Sequence, residues 1–224
     1  MHTLVMLSGG IDSLYSLHHL LTTTTDELWV HHVHLINREG RHRAEARACA
    51  DIVAWCRQHL RPFRYTESTI DHSAFELTGR DVLSVALEAG LVAQNAWPVA
   101  RKHLDRWVLG YCLEESEEVV SGQTVSASNR RAVIETAVHV TSHPIAPPPL
   151  AKLPLIPKHQ EIEALPPALA ALAWTCRTPR VLGAELVECG SCKTCVLMET
   201  VRARLTPETR PAPRRVSADD RQVD

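Results

Sequence analysis

No stretch of the 224-residue chain approaches the ~20 consecutive apolar residues of a membrane span. Met1 to Leu7 also lacks the basic start and long apolar core of a secretory signal, so the expected location is the cytoplasm, with no membrane partner. An excess of charge of one sign is missing too: 24 Lys+Arg face 26 Asp+Glu, a net charge of -2. That balance excludes a protein whose affinity rests on a global positive field, and no stable nucleic-acid binding is expected. There is no internal repeat. The seven cysteines are an odd number in a chain without an export signal, which argues against a disulfide framework. What remains is an ordinary globular composition, 45% hydrophobic and 22% charged, long enough for one domain with a small appendage.

Apolar periodicity divides the chain into alternating strands and helices. His2 to Leu7 reads as a strand ending in Ser8-Gly9-Gly10, and Ile11 to Thr22 repeats its apolar residues at helical spacing. Leu28 to Leu35 is a second strand, followed by a helical stripe of Ala44, Ala48, Ile52, Trp55 and Cys56 within Arg41 to Leu60. Arg61 to Ser68 predicts a third strand, Asp81 to Ala100 a helix, and Trp107 to Tyr111 a fourth strand with Gly110 near its end. This alternation predicts an α/β fold: an open, mainly parallel sheet with helices on both faces. Asn129 to Thr141 is a further helix, and Pro144 to Pro157, with six prolines in fourteen residues, excludes a helix interior. Gln160 to Trp174 predicts a helix interrupted near Pro166-Pro167, and Val196 to Leu205 a short one. Pro207 to Asp224 has no apolar periodicity and is expected to be disordered.

Ser8-Gly9-Gly10-Ile11-Asp12-Ser13 stands between the first strand and the first helix. Glycines let the backbone turn sharply, and the first helical amides then converge on one point, where an anion belongs. Ser8 and Ser13 add hydroxyls. Asp12 beside such a nest makes sense if a divalent cation sits between, or if it orients a reacting group. The loop lacks the Gly-Lys-Ser/Thr ending of the common P-loop ATPases. As an isolated motif it is a turn with a capped helix; its place directly after the first strand, where open α/β sheets bind ligands, favours phosphate.

Twelve residues separate Cys176 from Cys189-Gly190-Ser191-Cys192-Lys193-Thr194-Cys195. Four thiolates with two-residue gaps suit a tetrahedral structural zinc, with an iron–sulfur cluster as the competing metal. Gly190, Ser191, Lys193 and Thr194 are turn residues, which argues against four coincidental core thiols. Such a closed site pins the chain and does no chemistry. Cys49 and Cys56, seven apart on one helix, read as small core hydrophobes. His32 and His34 share a strand face and read as packing or base-stacking groups.

The Ser-Gly-Gly-x-Asp-Ser loop resembles the pyrophosphate-binding loop of the N-type ATP pyrophosphatases, the PP-loop superfamily. Further along, the chain resembles the 7-cyano-7-deazaguanine synthase family. Arg41-His42-Arg43-Ala44-Glu45 is similar to its Gly-Gln-Arg-His-x-x-Glu segment, with Gly40 in place of Gln. Gly79-Arg80-Asp81 is similar to its Gly-Arg-Asn, with Asp81 in place of Asn. Pro154-Leu155, Lys158 and Glu161-Ile162 resemble its Pro-Leu…Lys-x-x-Ile segment, and the four cysteines resemble its terminal metal motif. The family's Tyr-Pro-Asp-Cys-Arg segment has no clear counterpart after Gly110; Glu114, Glu115 and Glu118 stand in that neighbourhood.

The resemblance implies an adenine nucleotide alpha hydrolase-like domain at residues 1–175, a zinc module and closing helix at 176–205, and a tail at 206–224. It implies ATP with Mg²⁺, ammonia and 7-carboxy-7-deazaguanine as substrates, converted to the nitrile through adenylated intermediates, and it admits a homodimer. Ser8, Gly9, Gly10, Ile11, Asp12 and Ser13 would hold the phosphates, with Asp12, Ser13 and Lys158 in catalysis. Arg41, His42, Arg80, Asp81 and Glu115 would bind the deazaguanine, and Cys176, Cys189, Cys192 and Cys195 a structural zinc. Rival readings are a relative that stops at the amide or modifies another small acid, a tRNA-thiolating or tRNA-amidating relative with Cys112 as its one candidate thiol, and a non-catalytic nucleotide-sensing module.

Overall fold

The computed structural model describes residues 1–76, 81–112, 118–120, 123–125, 127–151 and 153–217. Four parallel strands form the central sheet: β1 (His2–Met6), β2 (Glu27–Ile36), β3 (Arg64–Asp71) and β4 (Arg106–Val108), in the order β3-β2-β1-β4. Helix α1 (Ile11–Thr23) connects β1 to β2, and α2 (His42–His59) connects β2 to β3. Helix α3 (Asp81–Ala100) carries the chain from the β3 edge back across the sheet to β4. The direction of strand filling therefore reverses between β1 and β4. Beyond β4, Leu150 adds a one-residue parallel bridge to Trp107, so the Pro-rich segment continues the sheet edge without helix.

Both faces of the sheet are covered, which is why β1 is buried and apolar from Leu4 to Met6. Val5 and Leu7 pack with α1, α2, α5 (Lys158–Glu163), α6 (Pro167–Ala170) and α7 (Lys193–Arg204). Leu4, Met6, Trp29 and Trp107 pack on the opposite face with α3 and α4 (Ala127–Ser142). Cys49 and Cys56 are fully buried in the first of these cores, as small hydrophobes. The expected helix over Gln160 to Trp174 is instead two short ones, because Pro166 caps α6 from outside the helix with an extended ψ of 132°. Helix α7 starts three residues earlier than its apolar pattern predicts, with Cys192 as its extended N-cap.

The expectation of a disordered tail is corrected over Arg215–Ser217. These residues form β9, which pairs antiparallel with β8 (Glu185–Val187), itself paired with β7 (Arg180–Leu182). Val216 is buried there against Leu186 and the cysteines, and Arg214 pairs with Asp51 on α2. A single buried valine in a three-residue strand leaves no periodic trace in a sequence. Two short strands, β5 (Glu118–Val120) and β6 (Gln123–Val125), form a separate hairpin.

Helices α3 and α4 touch through Gly90. A Cβ there would lie 2.7 Å from the Val138 carbonyl oxygen and closer still to Thr141 Oγ1. Gly90→Ala is therefore expected to part the helices and lower stability by about 1–3 kcal/mol, the usual range for overpacking. A thermal melt equal to that of the parent would show that the helices do not meet so closely.

Candidate functional site

Strand β1 ends and the chain turns at Ser8-Gly9-Gly10 before α1 begins. Gly9 has φ +79°, a conformation that favours glycine, and a Cβ on it would lie 3.0 Å from the Glu45 carbonyl oxygen and 3.3 Å from Cys49 Sγ. The loop thus lies directly on α2. Gly10 caps α1 without any side-chain hydrogen bond, and the first helical amides have no partner within the helix. Ser13 Oγ accepts from the Ser8 amide at 3.1 Å, donates to the Gly10 carbonyl at 3.1 Å, and stands 2.9 Å from Ser8 Oγ. Glycine turn, helix terminus and two hydroxyls are one unit.

Three other segments converge on it. Lys158 opens α5, is only 4% exposed, and places Nζ 3.2 Å from Asp12 Oδ2 as a hydrogen bond. Asp12 Oδ1 is 3.1 Å from the same Nζ, yet it is buried with no aligned hydrogen bond. Gly110, two residues beyond β4, is the closest approach: a Cβ on it would fall 2.6 Å from Ser13 Cα and closer still to the Ser13 nitrogen and Asp12 carbonyl carbon. Trp174 donates its amide to the Gly9 carbonyl at 2.8 Å, latching the loop from the C-terminal side. The arrangement stands at the carboxyl ends of β1 and β4, where strand filling reverses, the place where open α/β sheets bind ligands. Chemically it gathers helix N-terminal amides, two hydroxyls and the Lys158–Asp12 pair, groups that suit an anion.

Four cysteine sulfurs gather beside the loop, all within 4.8 Å of one another. Cys176 and Cys192 are 4.0 Å apart, and Cys189 and Cys195 3.9 Å. A tetrahedral ion with ~2.3 Å metal–sulfur bonds needs sulfurs about 3.8 Å apart, so the set fits a metal such as zinc. Backbone donors surround the sulfurs: the Cys189 amide reaches Cys176 Sγ at 3.2 Å, and the Cys192 and Ser191 amides reach Cys189 Sγ at 3.2 and 3.4 Å. Burial pushes the Cys189 thiol up, but the Thr178 hydroxyl and these amides outweigh it and bring it to about 5. Burial likewise acts upward on Cys192, which the Thr194 hydroxyl and the Arg177 and Cys195 amides bring to about 7. Cys195 is pushed up to about 11 by burial, and Cys176 is raised by the same cause.

Between loop and cysteines lies a charged cluster. Arg41 Nε is 3.1 Å from Glu39 Oε2 and 3.3 Å from Glu45 Oε1, and its Nη2 pairs with Asp81. Arg177 donates Nη2 to Asp81 Oδ2 at 2.6 Å and to Glu39 Oε1 at 3.2 Å. Burial pushes the Glu45 carboxyl up, against the opposing pull of Arg41. Arg41 and Asp81, expected to meet a ligand separately, are therefore partners of each other. His42 is the first residue of α2 beside them. Arg80 and Glu115 lie outside the described residues, as do Gly79 and Glu114.

His32 and His34 do share a face, with rings 4.6 Å apart in an edge contact. His32 is 1% exposed; its Nδ1 lies 2.8 Å from the Leu7 carbonyl oxygen, and burial lowers its pKa to about 4, so it packs under the loop as a neutral ring. Sequence reasoning missed Arg177, Glu39 and Trp174. The sole sequence sign of Arg177 is its position next to Cys176, since its partners come from two distant segments. No family model, curated protein or solved structure matches the chain.

Proposed function

We propose that the chain is an ATP-dependent ligase of the N-type ATP pyrophosphatase kind, which converts 7-carboxy-7-deazaguanine and ammonia to 7-cyano-7-deazaguanine. The observation that carries this reading is the convergence of the Ser8–Ser13 loop, Lys158 and Gly110 at the reversal point between β1 and β4. In this reading the free amides of α1 and the hydroxyls of Ser8 and Ser13 receive the β- and γ-phosphates, while Lys158 offsets their charge. Asp12, with its buried and unaligned Oδ1, would hold Mg²⁺, which neutralises charge on the leaving pyrophosphate. The substrate carboxylate attacks the α-phosphorus and the bond to the β-phosphate oxygen breaks. Ammonia then attacks the acyl carbon, AMP leaves, and a proton is lost to give the amide. A second ATP adenylates the amide oxygen with release of pyrophosphate, and loss of AMP and the N–H protons gives the nitrile.

A second reading, an enzyme that stops at the amide or activates another small acid, is favoured by one observation. Asp81 is already engaged by Arg41 and Arg177, so its carboxylate is not held free for a guanine-like edge. Incubation with ATP, Mg²⁺, ammonium and 7-carboxy-7-deazaguanine, followed by mass spectrometry, separates the two: nitrile supports the first reading and amide the second. The first reading expects no stimulation of pyrophosphate release by the desamino analogue, since a site built on the guanine-like edge rejects a compound lacking its amino donor. Equal stimulation by both compounds, or by neither, would point to a different substrate.

Zinc is the metal proposed for the cysteines. Purified protein should carry about one zinc per chain by elemental analysis. Brown colour with iron and labile sulfide, and no zinc, would overturn that assignment. Cys192→Ser should lower the melting temperature more than it lowers the turnover of the folded fraction, since a site with four protein ligands has no open position for chemistry.

A further inference from the structure

The residues from Trp174 to Arg177 connect three parts of the molecule in four positions. The Trp174 amide latches the Gly9 carbonyl, and its indole Nε1 donates to the Cys176 carbonyl at 2.8 Å, stiffening the segment. Cys176 belongs to the sulfur cluster, and the Arg177 amide donates to Cys192 Sγ. The Arg177 side chain then leaves the cluster and reaches Glu39, in the turn after β2, and Asp81, the first residue of α3.

We infer that Arg177 is a positioning residue for the second substrate: anchored by the cysteine cluster, it fixes Glu39 and Asp81 and thereby the charged cluster beside the Ser8–Ser13 loop. The inference rests on the ligase reading for its substrate, but not for its geometry. An isolated surface ion pair would do little of this, because such pairs contribute at most about 1 kcal/mol. Arg177 differs in that one guanidinium joins carboxylates from two separate elements, and both are largely shielded, Glu39 with 31% and Asp81 with 18% of the side chain exposed. Without it, Glu39, Glu45 and Asp81 crowd around Arg41 alone. One guanidinium then faces three carboxylates, an excess of negative charge that loosens the turn and the start of α3.

The test compares the full-length, zinc-loaded parent with Arg177→Gln and Arg177→Lys, with metal content measured for each. Hydrogen exchange should quicken in peptides spanning residues 37–45 and 81–89 of Arg177→Gln, while those spanning 8–14 and 189–196 keep parental protection. With 7-carboxy-7-deazaguanine as probe, its KM should rise about tenfold while kcat and the KM for ATP change by less than about threefold. Arg177→Lys should lie between, since an ammonium restores charge without the fork. Parental exchange rates in both the 37–45 and the 81–89 peptides would overturn the inference. Faster exchange with an unchanged KM would overturn it equally, leaving Arg177 a structural contact. Absence of pyrophosphate release by the parent would instead count against the ligase reading alone, because the exchange readout contains no substrate.

Discussion

Replacing Asp12 by Asn, or Ser13 by Ala, should lower pyrophosphate release from ATP by two to three decades while leaving the melting temperature within a few degrees of the parent. The size follows from what is lost, a contact to charge that develops only in the transition state, typically ~3–4 kcal/mol. For Asp12 the loss is twofold. Its carboxylate is also a partner of Lys158, which is 4% exposed, so the amide weakens the hold on a buried cation. Ser13 acts differently: its hydroxyl accepts from Ser8 and donates to Gly10, so alanine removes the strut that gives the turn its shape. The two single losses should therefore add to less than their sum in the double variant, because both act on one unit. Near-parental release by both single variants would reduce the loop to a turn and remove the basis of the proposed activity.

The second large effect is expected at Gly110. Alanine there must displace main-chain atoms of Asp12 and Ser13, not the far end of a flexible side chain, so something rigid has to give. Overpacking of this kind costs about 1–3 kcal/mol, a fall of several degrees in a chain of this length. The functional loss should be larger than the stability loss suggests. A displacement of ~1 Å in a loop proposed to orient phosphates is worth about a hundredfold in rate. Gly110→Ala and Gly90→Ala make a useful pair, since both overpack a glycine contact but only the former touches the loop. Comparable melting shifts with a selective loss of turnover in Gly110→Ala are expected. Equal turnover in the two would mean that β4 and the loop do not frame a common site.

Much of this scaffold was readable before the structure, for a physical reason. Helices α2 and α3 each bury one face over several turns, which imposes a repeat near 3.6 residues on Ala44, Ala48 and Ile52 or on Ala86, Ala89 and Ala93. Strand β1, covered on both sides, must be apolar at every position from Thr3 to Met6 except where Thr3 finds the Asp26 carboxylate. The glycine loop and the cysteine spacing are local, and so are the signals they leave. What stayed hidden is non-local. Arg41 and Asp81 looked like two independent ligand contacts, because nothing in a sequence announces that an arginine and an aspartate forty positions apart will neutralise each other. Arg177 and Glu39 are a still more distant pair. Gly110 could be read as the end of a strand, but not as the neighbour of Ser13, since that contact depends on β4 lying beside β1.

The latch between Trp174 and Gly9 has a consequence for the order in which the molecule is made. The Ser8–Ser13 turn lies far ahead of Trp174 in the chain, so the turn is made well before the residue that fastens it. Once α3 and β4 have emerged, the parallel sheet has its strands and can begin to close, slowly, because each pairing joins distant stretches of chain. A nascent chain halted before Trp174 would carry that sheet with an unfastened turn at its upper edge and no cysteine cluster below it. The latch on the turn is thus acquired after the strands it stands on, and the later cysteines, which follow it in the chain, can join Cys176 only afterwards.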